Sequence, residues 1–317
     1  MLDAVLLVVG LALLIKGADI FVDAGVGIAK RLRVPTVIIG LTIVAMGTSL
    51  PEAVISVTAS MQGSNALAIS NVVGSNIFNL MLVIGLCAML QPMLIRVREV
   101  SKDFWMSILA AVLLLVFKLI GGTSIPVWGN IILLAVFATY IILVIRRAYK
   151  AQKLHDHTAE KASEVAEKTK SLPAIILLAA LGCVMIFFGG QLTVDNAIKI
   201  AIAMGITERM IGLTIIAIAT SLPELITSLV AIKKGENEFA LGNIIGSNIF
   251  NIMFVLGIAG LVSPLVFDPE LIFDTCFLIA GSLLSILFVY TKQRIGRVEG
   301  FVMVFLYAAY MTYIIVF

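Results

Sequence analysis

The chain has 317 residues, of which 61% are hydrophobic and only 13% charged, with a net charge of +3. A soluble domain carries about 25% charged residues, so this composition excludes one. Its three cysteines (Cys87, Cys183 and Cys276) are scattered inside apolar stretches, which excludes a disulfide framework and a thiolate metal centre.

Apolar runs of about 20 residues, each long enough to cross a bilayer, recur along the chain. None shows the alternation over about 10 residues expected of a membrane barrel. In order they fall at 2–29, 35–61, 66–91, 103–120 and 126–147, then at 173–201, 208–232, 239–262, 270–291 and 298–317. The pattern predicts an all-α polytopic membrane protein with ten transmembrane helices. The first run has no basic leader region and no small-residue cleavage pattern, so it is read as a retained helix.

Lys and Arg sort the connections. They follow span one (Lys30, Arg31, Arg33), span three (Arg96, Arg98, Lys102), span five (Arg146, Arg147, Lys150), span seven (Lys233, Lys234) and span nine (Lys292, Arg294, Arg297). The intervening connections are nearly free of them, Arg209 apart. Basic loops stay in the cytoplasm, which puts both termini outside. The polar stretch 148–172 is too short for a domain and reads as a cytoplasmic linker. His155-Asp156-His157 within it offers too few ligands at too close a spacing for a structural metal site and is read as solvated.

Sliding the chain on itself by 172 residues aligns the halves without a gap from about Gly17 on Gly189 to Gly85 on Gly257. Between Gly40 and Leu80, 22 of 41 positions are identical to their partners in Gly212 to Ile252. Each half holds five spans, an odd number, so the second must enter the membrane in the opposite sense. The expected organisation is two inverted five-helix repeats, 1–147 and 173–317, joined by the 148–172 linker. Such repeats place substrate and ion sites near the midplane where the halves meet.

The best-matched stretches are also the polar ones. Gly47-Thr48-Ser49-Leu50-Pro51-Glu52 recurs as Ala219-Thr220-Ser221-Leu222-Pro223-Glu224. Thr48, Glu52 and Ser56 fall at i, i+4 and i+8, as do Thr220, Glu224 and Ser228, so each set shares a helical face. Pro51 and Pro223 lack an N–H and release carbonyls one turn earlier, near Gly47 and Ala219. In the next span Asn71, Ser75 and Asn79, with Asn76 adjacent, match Asn243, Ser247, Asn251 and Asn248, with Gly74, Gly242 and Gly246 allowing close helix contact. A carboxylate inside a span marks a functional site. Two carboxylates with hydroxyls, amides and freed carbonyls suit hard cations such as Ca²⁺ and Na⁺; no His, Cys or Met cluster invites a softer metal.

A purely structural role for Glu52 and Glu224 would need basic partners, and these spans have none. Ser56, Ser228, Asn76 and Asn248 serve equally well as interhelical hydrogen-bond glue. Asp19, Asp23 and Asp195, towards the ends of their spans, read as interfacial residues, Asp19 pairing with Lys16.

These paired G-[TS]-S-x-P-E and G-[ST]-N-x-x-N segments resemble the alpha repeats of the calcium/cation antiporter superfamily, and within it the Na⁺/Ca²⁺ exchanger branch of prokaryotic type, over essentially the whole chain. The resemblance implies that helices two, three, seven and eight form the core and that helices one and six slide across it. It also implies that Glu52 and Glu224 ligate a central Ca²⁺ with the main-chain oxygens of Thr48 and Thr220. Na⁺ sites would draw on Ala45, Ser49 and Ser75 on one side and Ala217, Thr220, Ser221 and Ser247 on the other, with Asn79 and Asn251 completing the centre. Some relatives carry aspartate at one of the last two positions; this chain has asparagine at both, and so lacks the acidic residue linked to potassium co-transport. The 148–172 linker cannot hold the regulatory domains of animal relatives.

The expected function is therefore Ca²⁺/Na⁺ antiport by alternating access in the plasma (inner) membrane. Ca²⁺/H⁺ antiport on the same glutamates is the alternative, which the T-S-L-P-E wording disfavours. A channel needs no inverted repeat. A hydrolase needs a nucleophile beside a base, and the only histidines lie in the linker. No cofactor, nucleic acid or protein partner is implied; the partners are Ca²⁺, Na⁺ and the lipid bilayer.

Overall fold

A computed structural model describes residues 2–159, 171–204 and 217–316 of the chain. The expected span 208–232 and Arg209 fall partly or wholly outside the described residues, as do residues 160–170 of the linker and the side chains of His155 and His157.

The described chain is all but entirely helical. Helix α1 is Leu2–Leu32, α2 is Thr36–Thr48, α3 is Leu50–Met61 and α4 is Asn65–Leu90. Helix α5 (Val97–Gly121) and α6 (Val127–Ala159) follow, the latter running past residue 147 into the expected linker. In the second half α7 is Leu172–Ala203, α8 is Ala217–Thr220 and α9 is Leu222–Lys233. Helices α10 (Asn237–Val262), α11 (Glu270–Lys292) and α12 (Arg297–Val316) complete it. Among the described residues eight helices are long and apolar enough to cross a membrane, or nine if the pair α2 and α3, bent by 49°, is counted as one broken span.

Burial separates centre from rim. The most apolar windows of α4 and α10 are 78% and 83% buried, against 28–44% for the other six long helices, which turn much of their apolar surface outward as lipid-facing helices do. Helices α1 and α7 lie in backbone contact: a β-carbon on Gly189 would sit 2.6 Å from the Leu14 nitrogen. Only glycine allows that approach, so these two helices form a tight pair. On the basic-loop side a two-residue ribbon joins β1 (Met93–Leu94) to β2 (Arg294–Ile295), antiparallel, with Met93 opposite Ile295. A second clasp, at the other end, has Ile125 and Phe267 donating to the carbonyls of Leu265 and Thr123 at 3.0 Å each.

One ion pair inside a helix bundle escaped the sequence reading. Asp103 of α5, fully buried, accepts from Arg147 Nη2 at 2.5 Å, Arg147 Nη1 at 3.0 Å and the Tyr140 hydroxyl at 3.0 Å, both from α6. Removing one partner of such a pair strands a buried charge. Arg147→Ala is expected to lower stability by about 3 kcal/mol, read as a fall in the thermal unfolding midpoint in detergent.

Candidate functional site

The site begins with two helix breaks. Ser49 (φ −84°, ψ 10°) leaves the helical region between α2 and α3, and Ser221 (φ −90°, ψ 3°) does the same between α8 and α9. Each is followed by a proline in the first turn of the next helix, where its missing N–H does no harm, and then by the glutamate. The Gly47 carbonyl, one turn before Pro51, takes the Cys183 thiol of α7 as its partner at 3.8 Å, as a released carbonyl should.

The breaks bring both glutamates to the interface of the halves, fully buried. Ser49 donates to Glu224 Oε1 at 2.7 Å, across the halves. Ser247 Oγ lies 3.4 Å from the same Oε1 and 3.5 Å from the Ala45 carbonyl. In mirror fashion, Ser75 donates to Glu52 Oε1 at 3.2 Å, and Ser221 Oγ lies 3.3 Å from that oxygen and 2.8 Å from Ser75 Oγ. The serines are thus exchanged relative to the expected sets: hydrogen bonds join Ser49 and Ser247 through Glu224, and Ser221 and Ser75 through Glu52. The bends carry each serine past its own glutamate towards the other half.

Around this centre the threonines and outer asparagines interlock. Thr48 Oγ1 is 3.2 Å from the Val44 carbonyl and 3.1 Å from Asn243 Oδ1, and Thr220 Oγ1 donates to Asn71 Oδ1 at 3.3 Å. Asn71 and Asn243 in turn donate to Ser56 and Ser228 at 2.9 and 3.0 Å. Asn76 and Asn248 donate to one another's backbone carbonyls at 3.0 and 3.3 Å. Ser56, Ser228, Asn76 and Asn248 thus each bond one helix to another, with Asn248 Oδ1 left without a partner. Asn71 and Asn243 hold the threonines, a role the sequence spacing alone did not assign.

What this glue leaves over is acidic and amide oxygen. Among the described residues, Glu52 Oε2, Glu224 Oε2, Asn251 Oδ1 and both polar atoms of Asn79 are buried without a hydrogen-bond partner. No described Lys or Arg pairs with either glutamate. Buried charge without a partner is costly, and unpartnered oxygens suit a hard cation. Asn251 spends its amide on Ser75 Oγ at 3.4 Å and Asn76 Oδ1 at 3.3 Å, so the matched asparagines are not equivalent. Ala217 opens α8, one turn before Ser221.

Among the described residues, three π-helical segments surround the site, at Gly40–Val44, Phe78–Val83 and Phe250–Leu256, the last two carrying Asn79 and Asn251. Such segments loosen the i→i−4 ladder and are common at functional sites. A cavity of about 150 Å³ reaches Pro51, Thr220 and Pro223 beside the glutamates, bounded by Gln191 and Asp195 of α7.

The chain is similar over most of its length to known proteins. A family model described as sodium/calcium exchanger protein matches residues 2–146 and 174–316. The sodium/calcium exchanger MaX1 of Methanosarcina acetivorans is 34% identical over 337 aligned positions, covering 96% of each chain. The inner membrane protein YrbG of Escherichia coli is 36% identical over 269 positions, covering 85% of this chain and 82% of its own. Among solved structures, the sodium-calcium exchanger NCX_Mj, soaked with 2.5 mM Na⁺ and 10 mM Sr²⁺, superposes with a TM-score of 0.84 at 32% identity over 98% of both chains.

Proposed function

The chain belongs to the sodium/calcium exchanger protein family, and from that membership we propose that it is a secondary antiporter moving Ca²⁺ out of the cytoplasm in exchange for external Na⁺. The family consists of membrane exchangers, transporters rather than enzymes, with cations as their substrates. The finer reading is ours: ten spans in two inverted repeats, 1–147 and 173–317, in the plasma membrane with both termini outside.

One observation carries the proposal. Two fully buried carboxylates, each with an oxygen left over, face each other's serines with no basic side chain among the described residues to balance them. In our reading Glu52 and Glu224 ligate one Ca²⁺ with the Thr48 and Thr220 carbonyls, and Asn79 and Asn251 complete the centre. Na⁺ takes two flanking positions: Ala45 carbonyl, Ser49 and Ser247 beside Glu224, and Ser75, Ser221 and the Ala217 carbonyl beside Glu52. Both kinds of ion need the same carboxylates, so filling the flanks with Na⁺ expels Ca²⁺. Alternating access follows if α1 and α7, already joined backbone to backbone, slide as a unit over the glutamate-bearing helices.

Competition is the test. Saturating Ca²⁺ should raise the thermal midpoint of the purified protein, an effect worth about 2.7 kcal/mol at a hundredfold excess over Kd. Rising Na⁺ at fixed Ca²⁺ should erase its dependence on Ca²⁺; a Ca²⁺ effect indifferent to Na⁺ would argue against a shared site. Ser221→Ala removes one flanking oxygen, and a hydrogen bond or ligand to a charged group is worth about 1.5–3 kcal/mol. It should raise the Na⁺ concentration for half-maximal exchange at least about tenfold and the Ca²⁺ requirement by less, measured by titrating each ion in a flux assay.

A further inference from the structure

Lys234, at the C-terminal end of α9, reaches α1 and is held there by two carboxylates. Its Nζ lies 2.6 Å from Asp19 Oδ1 and 2.6 Å from Asp23 Oδ1, and it donates to the Asp19 carbonyl at 3.1 Å. Lys16 occupies the other Asp19 oxygen at 2.7 Å, so the acid is fixed on its own helix while Lys234 spans two. Lys234 lies beyond Glu224 along α9, towards the basic-loop end of the molecule, and meets Asp19 and Asp23 of α1 there.

The internal repeat supplies a control within the same molecule. An offset of 172 residues carries Lys234, Asp19 and Asp23 onto Gln62, Gln191 and Asp195, so the lysine and one acid become glutamines. An ionic tie of this kind is therefore absent at the matched place. It is on that side, against Gln191 and Asp195, that the cavity beside Pro51, Thr220 and Pro223 is found. A larger cavity, about 700 Å³, lies at the tied end against Asp23, Lys30 and Lys234, but it does not reach Pro51, Thr220 or Pro223; of the two, only the cavity at the untied end borders the helix breaks, and the charges that differ between the ends are those of the tie.

We propose that Lys234, Asp19 and Asp23 form a one-sided ionic latch that holds the α1–α7 pair against α9, closing the site towards the basic-loop face and favouring the form open at Asp195. The latch rests on the alternating-access reading above. Because α1 and α7 touch backbone to backbone, a tie on α1 restrains both. The latch biases an equilibrium only through contacts made in one form and lost in the other. Exposed pairs are individually weak, so it sets a preference that ion binding can overcome.

The test labels Val54→Cys, a cavity-lining position, with a membrane-impermeant methanethiosulfonate ammonium reagent. It uses the full chain in proteoliposomes without added Na⁺ or Ca²⁺, in a background carrying Cys183→Ala and Cys276→Ala. Lys234→Gln, which copies the residue at the matched place, should slow labelling at least about threefold, as should Asp19→Asn combined with Asp23→Asn. Lys234→Arg should leave the rate unchanged, and the swap Lys234→Asp with Asp23→Lys should restore it. Equal rates in the parent, Lys234→Gln and the double asparagine variant would overturn the latch. Labelling needs no transport, so Na⁺-driven ⁴⁵Ca²⁺ flux of the unsubstituted chain in separate proteoliposomes judges the exchange reading on its own: flux present there with labelling unchanged removes the latch alone, and flux absent there removes the exchange reading.

Discussion

Glu52→Gln and Glu224→Gln are each expected to reduce Na⁺-driven Ca²⁺ exchange by more than about a hundredfold while leaving the protein folded. Partners one shell removed from a bound metal already cost about 10–100-fold when mutated. Loss of a charged ligand should exceed the upper end of that range. Stability should move the other way. Each glutamate is fully buried without a basic partner among the described residues, so neutral Gln of the same shape removes a desolvation penalty from the ion-free protein. The thermal midpoint without Ca²⁺ should hold or rise, and its increase on adding Ca²⁺ should disappear. A variant that still exchanges at a near-normal rate would remove that glutamate from the site.

Gly242→Ala is expected to destabilise the protein by about 3 kcal/mol, at the upper end of what overpacking costs. A β-carbon there would sit 2.5 Å from the Val37 carbonyl oxygen and 3.0 Å from the Leu41 nitrogen. The facing Gly40 is pinned in the same way, 2.5 Å from the Phe239 carbonyl oxygen. Both obstacles are backbone, so no side chain can turn aside, and α2 must lift away from α10. Asn243 follows Gly242 and holds the Thr48 hydroxyl, so the lost packing also moves the site. Gly27→Ala is the control: its β-carbon would approach Ile175 no closer than 3.4 Å, and the midpoint should scarcely change. Equal unfolding temperatures for the two variants would contradict this packing account.

Much of the site was legible because its chemistry is at odds with its surroundings. A glutamate in an apolar run is conspicuous, and its recurrence 172 residues later, with Thr, Ser and Pro in step, marks the same feature twice. The breaks at Ser49 and Ser221 follow from the prolines. The exchange of serines between glutamates was not legible, since it depends on how far each break turns the chain. Nor were the π-helical segments, where ladder geometry changes without a residue type to announce it. Asp103 with Arg147, and Lys234 with Asp19 and Asp23, join residues 44 to 215 positions apart, a separation that no periodicity reports. The helices themselves were plain from the apolar runs; the length of α6 was not, because its continuation past the last apolar turn is polar.

The most direct measurement is ⁴⁵Ca²⁺ uptake into proteoliposomes loaded with Na⁺, beside vesicles loaded with K⁺ and vesicles holding only a pH gradient. Na⁺/Ca²⁺ antiport predicts uptake that requires internal Na⁺ and is lost in both Glu→Gln variants. Uptake driven by the pH gradient alone, with Na⁺ without effect, would contradict it and make Glu52 and Glu224 proton carriers of a Ca²⁺/H⁺ antiporter.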